Sequence, residues 1–166
     1  MAVAEIIGSA VGVLLLVIVA YLLVGGTLST AETVVAAQKD MTLLQELRLK
    51  TSINLTDPVH QSTVGVSNFL NLSVTNSGNE VVPDFEHVDV YTYDAGNTAS
   101  YYRYDETNSG TPGTWFVIDY SRDAIHAHEL DPGDVMRISV VLPTAEYTPD
   151  SVQMTTSNGV KALTTV

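Results

Sequence analysis

Four side chains of types that bind metals lie within six residues: Asp84, Glu86, His87 and Asp89. The surrounding residues predict a β-strand, on which alternation sends the first two side chains to one face and the last two to the other. A metal site needs three or more converging ligands. Two ligands on each face favour a solvent-exposed strand, where charges also discourage pairing between sheet edges.

Histidine occurs twice more in the segment His126-Ala-His128-Glu129, where chelation would require both imidazoles to share one face of a strand. The chain contains no His-Glu-x-x-His, no Gly-x-Ser-x-Gly, no glycine-rich phosphate loop and no cysteine. We therefore predict that the protein is not an enzyme and has no catalytic residue, metal site or cofactor. Weak calcium binding by the acidic loops stays open.

The net charge of the chain is −12, and residues 51–166 contain 15 acidic and 4 basic side chains. This charge repels nucleic acid and anionic lipid headgroups, so we exclude nucleic acid as a partner. Without cysteine there are no disulfides, and the domain must be stabilised by its core alone. A segment of about 115 residues is long enough for such a core.

An uncharged apolar run extends from Ile6 to Val24, and no lysine or arginine precedes Lys39. A signal peptide has a basic start and an apolar region of about 7–15 residues, whereas this run can cross a hydrocarbon core of about 30 Å. We predict a retained transmembrane helix with its N-terminus inside, although the bases that follow the run weakly favour the reverse. The predicted membrane or assembly residues are Glu5, Ile6, Leu14, Leu15, Leu16, Val17, Ile18 and Tyr21.

A helical pattern continues beyond Gly25–Gly26, where the helix either restarts, with the Ser29-x-x-Glu32 capping pattern, or only flexes. Beyond this point, apolar side chains at three- and four-residue spacing predict a narrow seam: Val34, Ala37, Met41 and Leu44. The seam packs either on its own domain or against a partner helix. Residues 1–49 are thus predicted to form a transmembrane helix and an amphipathic stalk.

Residues 50–166 show alternating polarity in short runs that are separated by turn sequences. Seven or eight such strands predict an antiparallel Ig-like β-sandwich, which ends in a hairpin at Asn158–Gly159. Two phrases, LNLSVTNSGNEVVP and LDPGDVMRISVVL, resemble the Ig-like modules of archaeal and bacterial surface proteins. That resemblance supports the fold and implies no activity.

Two kinds of candidate surface residue lie in this domain. Asn54-Leu-Thr56 and Asn71-Leu-Ser73 match the N-glycosylation sequon, so Asn54 and Asn71 are candidate glycosylation sites on an outward-facing domain. Aromatic side chains gather in TYDAGNTASYYRYDETNSGTPGTWF, and exposed aromatics often mark binding surfaces. The candidate partner surface comprises Tyr101, Tyr102, Arg103 and Tyr104, although pairs within the sheet and core would also account for these tyrosines.

The whole layout, an apolar helix followed by an amphipathic continuation and an acidic β-domain, resembles the archaellins, the archaeal pilins and the accessory proteins of the archaellum, the archaeal flagellum. The segment STAETVVAAQKDMTLLQELRLKTSINL is similar to the archaellum family of FlaF and its sister FlaG. The positions that carry this similarity are Thr30, Ala37, Gln38, Asp40, Thr51 and Ile53.

The resemblance implies a non-enzymatic stator, anchored in the archaeal membrane, whose β-domain lies beneath the surface layer and binds it. Its implied partners are the membrane, the surface-layer protein, a FlaG-like companion or other archaellum components, and further copies of the chain. The alternative is a filament subunit of the archaellin or pilin type, in which Glu5 faces a neighbouring chain instead of bordering the bilayer. The lack of a basic leader favours the stator, unless Met1 is already the mature end.

Overall fold

The computed structural model describes residues 2–63, 67–121, 126–144 and 146–166. Its elements in chain order are α1 (Ala2–Lys50), β1 (Ile53–Thr63), β2 (Ser67–Asn76), a 3-10 helix (Phe85–His87), β3 (Asp89–Tyr93), β4 (Ala99–Tyr104), β5 (Thr114–Tyr120), β6 (Val135–Val141), β7 (Ser151–Thr155) and β8 (Lys161–Thr165). The chain divides into two compact units, Met1–Leu44 and Gln45–Val166. The last turn of α1 therefore belongs to the second unit.

The helix α1 continues through Gly25–Gly26 without a break. No proline interrupts it, and serine and threonine hydroxyls bond back to carbonyls of the preceding turn. Ser9 Oγ donates to Ile6 O at 2.9 Å, and Thr30 Oγ1 donates to Gly26 O at 2.9 Å. Of the two arrangements that the sequence allowed, the structure has the continuous helix, and Ser29 lies inside it.

The strands form one eight-stranded sheet in the order β1-β2-β6-β5-β4-β3-β7-β8. Every neighbouring pair is antiparallel except β4 and β5, which run parallel where Arg103 pairs with Thr114 and Tyr104 with Trp115. The first and last strands, β1 and β8, lie beside each other. The sheet is therefore mixed and nearly closes into a barrel.

The predicted all-β domain is confirmed, but the predicted antiparallel Ig-like sandwich is not, because β4 joins the two halves of the sheet. Its first part pairs with β3, from Ala99 to Tyr102, and its last two residues pair with β5. A sandwich would keep these halves as separate sheets. Side-chain alternation is the same in parallel and antiparallel strands, so the sequence pattern could not reveal this connection.

The core lies on the inner face of the sheet and is centred on Trp115, whose exposure is 0%. The ring centroid of Trp115 lies 4.8 Å from that of Tyr104 and 6.1 Å from that of Phe85. Aliphatic side chains complete the core: Leu70, Leu72, Val74, Val90, Leu130, Met136, Ile138, Val140, Val152 and Met154. Burial of each such large side chain stabilises the fold by about 1.5–3 kcal/mol.

Candidate functional surfaces

The predicted membrane or assembly residues of α1 are all exposed: Glu5, Ile6, Leu14, Leu15, Leu16, Val17, Ile18 and Tyr21. This helix is long and apolar enough to cross a membrane, by length and composition. Soluble monomers rarely expose contiguous apolar patches of more than a few hundred Å². Exposed apolar surface of this extent is typical of a segment that lies in a membrane or packs against another protein chain.

The predicted seam lies further along the same helix, and its four side chains are also exposed: Val34, Ala37, Met41 and Leu44. Their spacing of three and four residues places them along one side of α1. Pairing of this seam with a partner helix stays a prediction.

Two of the last carbonyl groups of α1, those of Leu47 and Lys50, accept hydrogen bonds from residues that follow the helix. The final four carbonyls of any helix lack partners within the helix. Leu47 O accepts hydrogen bonds from Thr51 N at 3.0 Å and from Thr51 Oγ1 at 2.8 Å. Lys50 O accepts a hydrogen bond from Asn79 N at 2.7 Å, so a turn that follows β2 caps the helix.

A second turn, between β7 and β8, holds the same helix end. Arg48 Nε donates to Asn158 O at 2.6 Å, and Asn158 Nδ2 donates to Thr51 Oγ1 at 2.6 Å. The next residue, Gly159, has a φ of +83°, and a Cβ there would come within 2.8 Å of Arg48 Nη2. We call these contacts of Arg48, Lys50 and Thr51 with the turns 76–80 and 156–159 the helix-end clasp.

Asn76 is fully buried and joins the two phrases that resemble Ig-like modules. Its Nδ2 donates to Glu80 O at 2.8 Å and to Leu130 O at 2.9 Å, and its Oδ1 accepts from Gly78 N at 3.0 Å. Its backbone N donates to Asp134 O at 3.0 Å. The sequence singled out both phrases but not their contact, which needs residues more than 50 positions apart. The one local indication of this role in the sequence was the position of Asn76 two residues before Gly78, a spacing typical of an asparagine that bonds to the backbone of a turn.

Only two of the four residues of the predicted partner surface are exposed. Tyr101 is 50% exposed and Arg103 is exposed, whereas Tyr104 is half-buried beside Trp115. Tyr102 is 1% exposed, and its hydroxyl lies 3.0 Å from Thr92 Oγ1. Burial raises the pKa of Tyr102 to about 12. Tyr102 is thus a core residue, because strand alternation turns it opposite to Tyr101 and Arg103.

The two sequon asparagines lie on neighbouring strands of the other half of the sheet. Asn54 on β1 is exposed, whereas Asn71 on β2 is half-buried, opposite Val59 in the strand register. Asn71 Oδ1 is buried without a hydrogen-bond partner. Only Asn54 is openly accessible, and glycosylation of either residue stays a prediction.

The acidic segment at residues 84–89 was wrongly predicted as a continuous strand. Residues Phe85–His87 form a 3-10 helix, and β3 begins only at Asp89. His87 Nδ1 therefore lies 2.6 Å from Asp84 Oδ2, at a spacing of three residues. Within the described ranges, no group of three or more His, Asp or Glu side chains is arranged to hold a metal ion.

His126 forms a similar pair, with a carboxylate that is largely buried. Its Nδ1 lies 2.6 Å from Asp131 Oδ1, and its backbone N donates to Asp131 Oδ2 at 3.1 Å. The side chain of Asp131 is 5% exposed, whereas that of His126 is 52% exposed. The mutual hydrogen bond raises the pKa of His126 and lowers the pKa of Asp131. This pair anchors the loop before β6.

No protein-family model matches the sequence, and no curated protein sequence matches it significantly. Solved structures do resemble it. The archaellum periplasmic stator protein FlaG from Sulfolobus acidocaldarius matches with a TM-score of 0.53 at 19% identity, over 70% of this chain and 99% of that protein. The fold resembles that of archaellum stator proteins. The resemblance seen in the sequence is thereby confirmed at the level of fold.

A second solved structure points to the same proteins. The archaellum periplasmic stator complex of FlaF and FlaG from Sulfolobus acidocaldarius contains a chain that matches with a TM-score of 0.50 at 19% identity. The match covers 69% of this chain and 87% of that one.

Proposed function

We propose that this protein is a non-enzymatic, membrane-anchored stator component of the archaellum motor. The observation that carries the proposal is the resemblance of its fold to archaellum periplasmic stator proteins. The apolar helix α1 in the same chain supplies a means of attachment to the membrane. A stator must resist the torque of a rotating part, so it needs an anchor and a rigid body, and it needs no catalytic residue.

In this proposal the apolar part of α1 crosses the membrane with its N-terminus inside, and the β-domain lies between the membrane and the surface layer. The acidic charge of residues 51–166 and the exposed sequon at Asn54 suit an external location. The helix-end clasp contributes rigidity, because its hydrogen bonds join the last turn of α1 to two turns of the sheet.

The proposed partners are the surface-layer protein, a FlaG-like companion and further copies of the chain. The companion is suggested by the solved complex of two stator proteins. The exposed seam, Val34, Ala37, Met41 and Leu44, supplies a surface through which α1 could pair with another helix.

The membrane anchor is tested with Leu16→Arg in the full chain. A charge at the centre of a transmembrane helix raises the insertion free energy by about 2.5–3.5 kcal/mol. We therefore expect Leu16→Arg to leave less protein in the carbonate-washed membrane fraction. Lys39→Arg, outside the apolar run, is the control and should fractionate like the parent chain. Equal retention of Leu16→Arg would argue against the anchor.

The stator role is tested by binding to purified surface-layer protein from the same cells. The full chain is placed in nanodiscs of neutral lipid, and empty nanodiscs are the control. We expect the loaded nanodiscs to sediment with assembled surface layer. No association over a wide range of salt and calcium concentrations would contradict binding to the surface layer.

The exposed apolar helix also suits a second function, that of a filament subunit packed through its N-terminal helices. Electron microscopy of shed filaments, combined with mass spectrometry of their subunits, separates the two. Finding this chain as the bulk subunit would replace the stator proposal, whereas its absence from filaments would exclude the alternative.

A further inference from the structure

The second half of the sheet presents one continuous outward face. Strands β8, β7, β3 and β4 are consecutive neighbours, and their alternating burial turns every second side chain outward. We call the outward side chains of these strands the four-strand face. They are Lys161, Leu163 and Thr165 on β8, Ser151, Gln153 and Thr155 on β7, Asp89, Tyr91 and Tyr93 on β3, and Ala99, Tyr101 and Arg103 on β4.

A row of contact-forming side chains crosses the middle of this face. The strand register places Leu163 opposite Gln153, Gln153 opposite Tyr91, and Tyr91 opposite Tyr101. Strand spacing makes the row about 15 Å long. Leu163 at one end is 63% exposed and Tyr101 at the other is 50% exposed. The Tyr91 and Tyr101 ring centroids are 5.3 Å apart, which fixes the aromatic part of the row.

The charge of this face differs from that of the domain. Of the three bases that the structure describes after Thr51, Arg137 is paired with Asp119 on the other half of the sheet. Arg103 and Lys161 both lie on the four-strand face, and neither forms an ion pair within the described residues. Asp89 is the one outward carboxylate on these four strands. The face therefore carries a small net positive charge.

We propose that the four-strand face docks an acidic protein surface, with partner carboxylates opposite Arg103 and Lys161 and apolar contact on Leu163 and Tyr101. The argument is charge complementarity: two cations that form no ion pair within the described residues lie along one side of an apolar and aromatic row, in an otherwise strongly acidic domain. Lys161 and Asp89 both lie opposite Thr155 in the strand register, so Asp89 shares that side with the two cations. Such complementary charges steer association and fix the orientation of the partner. This inference does not depend on the stator role.

A protein partner fits this face better than a lipid surface. Tyrosine and arginine are enriched in protein interfaces, where a few such side chains carry most of the binding energy. Anionic lipid headgroups would be repelled by the remaining acidic side chains of the domain, which a flat membrane could not avoid. A protein surface can place its carboxylates only where Arg103 and Lys161 lie.

The test is site-specific photocrosslinking of the full chain in its own host cells. The substitution Leu163→p-benzoylphenylalanine places the probe on the four-strand face, and Val59→p-benzoylphenylalanine is the matched control. Val59 is apolar and 51% exposed, but it lies on β1 in the other half of the sheet. We expect a protein adduct at position 163, with aspartate or glutamate beside the crosslinked position of the partner.

Charge reversal decides whether the adduct reflects the proposed chemistry. The double variant Arg103→Glu and Lys161→Glu should lower the adduct yield at 163 at least about tenfold, because like charges then face each other. Arg137→Glu, the control reversal on the other half of the sheet, should leave the yield unchanged. Trp115 fluorescence of each purified variant shows that the domain is folded before the yields are compared.

Several results would overturn the proposal. They are no adduct at position 163 while the chain is folded, an adduct with lipid, an equal yield of the same adduct at position 59, or a yield that charge reversal does not lower. A partner peptide without carboxylates would also contradict it. A further experiment combines the double variant with a partner whose facing carboxylates are replaced by lysine. Recovery of the adduct in that combination would support the proposal directly.

Discussion

The apolar part of α1 and the β-domain use similar side chains in opposite ways. Leu16 on α1 is 71% exposed, whereas Leu70 on β2 is 0% exposed. On the helix, apolar side chains occupy all sides, so no side can serve as the outer surface of a folded body. On the strands apolar side chains alternate with polar ones, so the apolar face of the sheet can turn to the core while the polar face turns to solvent.

This difference shows that hydrophobicity alone does not say what a segment packs against. The period of the apolar pattern decides whether a segment can complete a core within its own chain. The β-domain buries its own apolar face, whereas the apolar side chains of α1 from Ile6 to Val24 are exposed. The four predictions that follow test this contrast, from the largest expected effect to the smallest.

The sharpest comparison is the same substitution in both regions. Leu70→Ala removes a fully buried side chain and should lower the free energy of unfolding of the β-domain by about 2–5 kcal/mol. Leu16→Ala should leave that free energy unchanged. Denaturant unfolding of the full chain in detergent measures both, with fluorescence from Trp115, the only tryptophan, as the signal. An equal effect of the two substitutions would break the comparison.

Glycine offers a second matched pair, at the helix-end clasp and in the helix. A Cβ at Gly78 would lie 2.5 Å from Ser52 N, a backbone atom that cannot swing away, so Gly78→Ala should destabilise the domain by about 1–3 kcal/mol. At Gly26 a Cβ meets nothing within 4 Å. Gly26→Ala should therefore leave the unfolding of the domain unaffected and favour the helix by about 1 kcal/mol.

Thermal melts followed by Trp115 fluorescence measure the Gly78→Ala effect, and far-ultraviolet circular dichroism of the same samples measures helix content. If the Gly78→Ala chain melted at the same temperature as the parent, the backbone around Lys50 and Ser52 would be able to accommodate the added methyl group without loss of stability. A loss of domain stability on Gly26→Ala would contradict the separation of the two regions.

The pair of His126 and Asp131 gives the β-domain a pH dependence that the apolar helix lacks. The pKa of Asp131 is lowered, so its contribution to stability is present above about pH 4 and is lost as the pH falls through the folded value. The pKa of His126 is raised, so its contribution is present below about pH 6.5 and is lost as the pH rises through the folded value.

We therefore expect His126→Ala to lower the melting temperature most between about pH 4 and pH 6.5, and less at pH 9 or pH 2. Melting of both chains across this range measures the difference. His87→Ala is the matched control, since His87 pairs with the more exposed Asp84, and it should show a smaller difference. A difference for His126→Ala that stays constant with pH would exclude the pair as its source.

The smallest expected effect is at the outer surface of the barrel. Arg137 and Asp119 form a hydrogen-bonded ion pair whose side chains are 61% and 46% exposed. Exposed ion pairs stabilise proteins by about 0–1 kcal/mol, so Arg137→Ala should change the free energy of unfolding by no more than that. Denaturant unfolding at low and high salt measures the change, and a loss of several kcal/mol would mean that the pair is shielded from solvent.

Local features of the fold were largely predictable from the sequence. The hairpin turn at Asn158–Gly159 and the turn that begins at Asn76, where β2 ends, lie where turn chemistry predicted them. The parallel pairing of β4 with β5 was not predictable, because it depends on which strands meet in space and not on the pattern within either one. The 3-10 helix at Phe85–His87 was missed because strand-forming residues surround it.

By itself, the sequence determined that an apolar helix precedes an acidic all-β domain, since composition and periodicity are properties of short segments. Tertiary structure alone decided which residues of those segments meet. Within the tyrosine cluster it buried Tyr102 and exposed Tyr101, and it aligned Tyr101 with Leu163 from the far end of the domain. The physical reason is that strand register and sheet order combine residues distant in the chain, and no local pattern records those pairings.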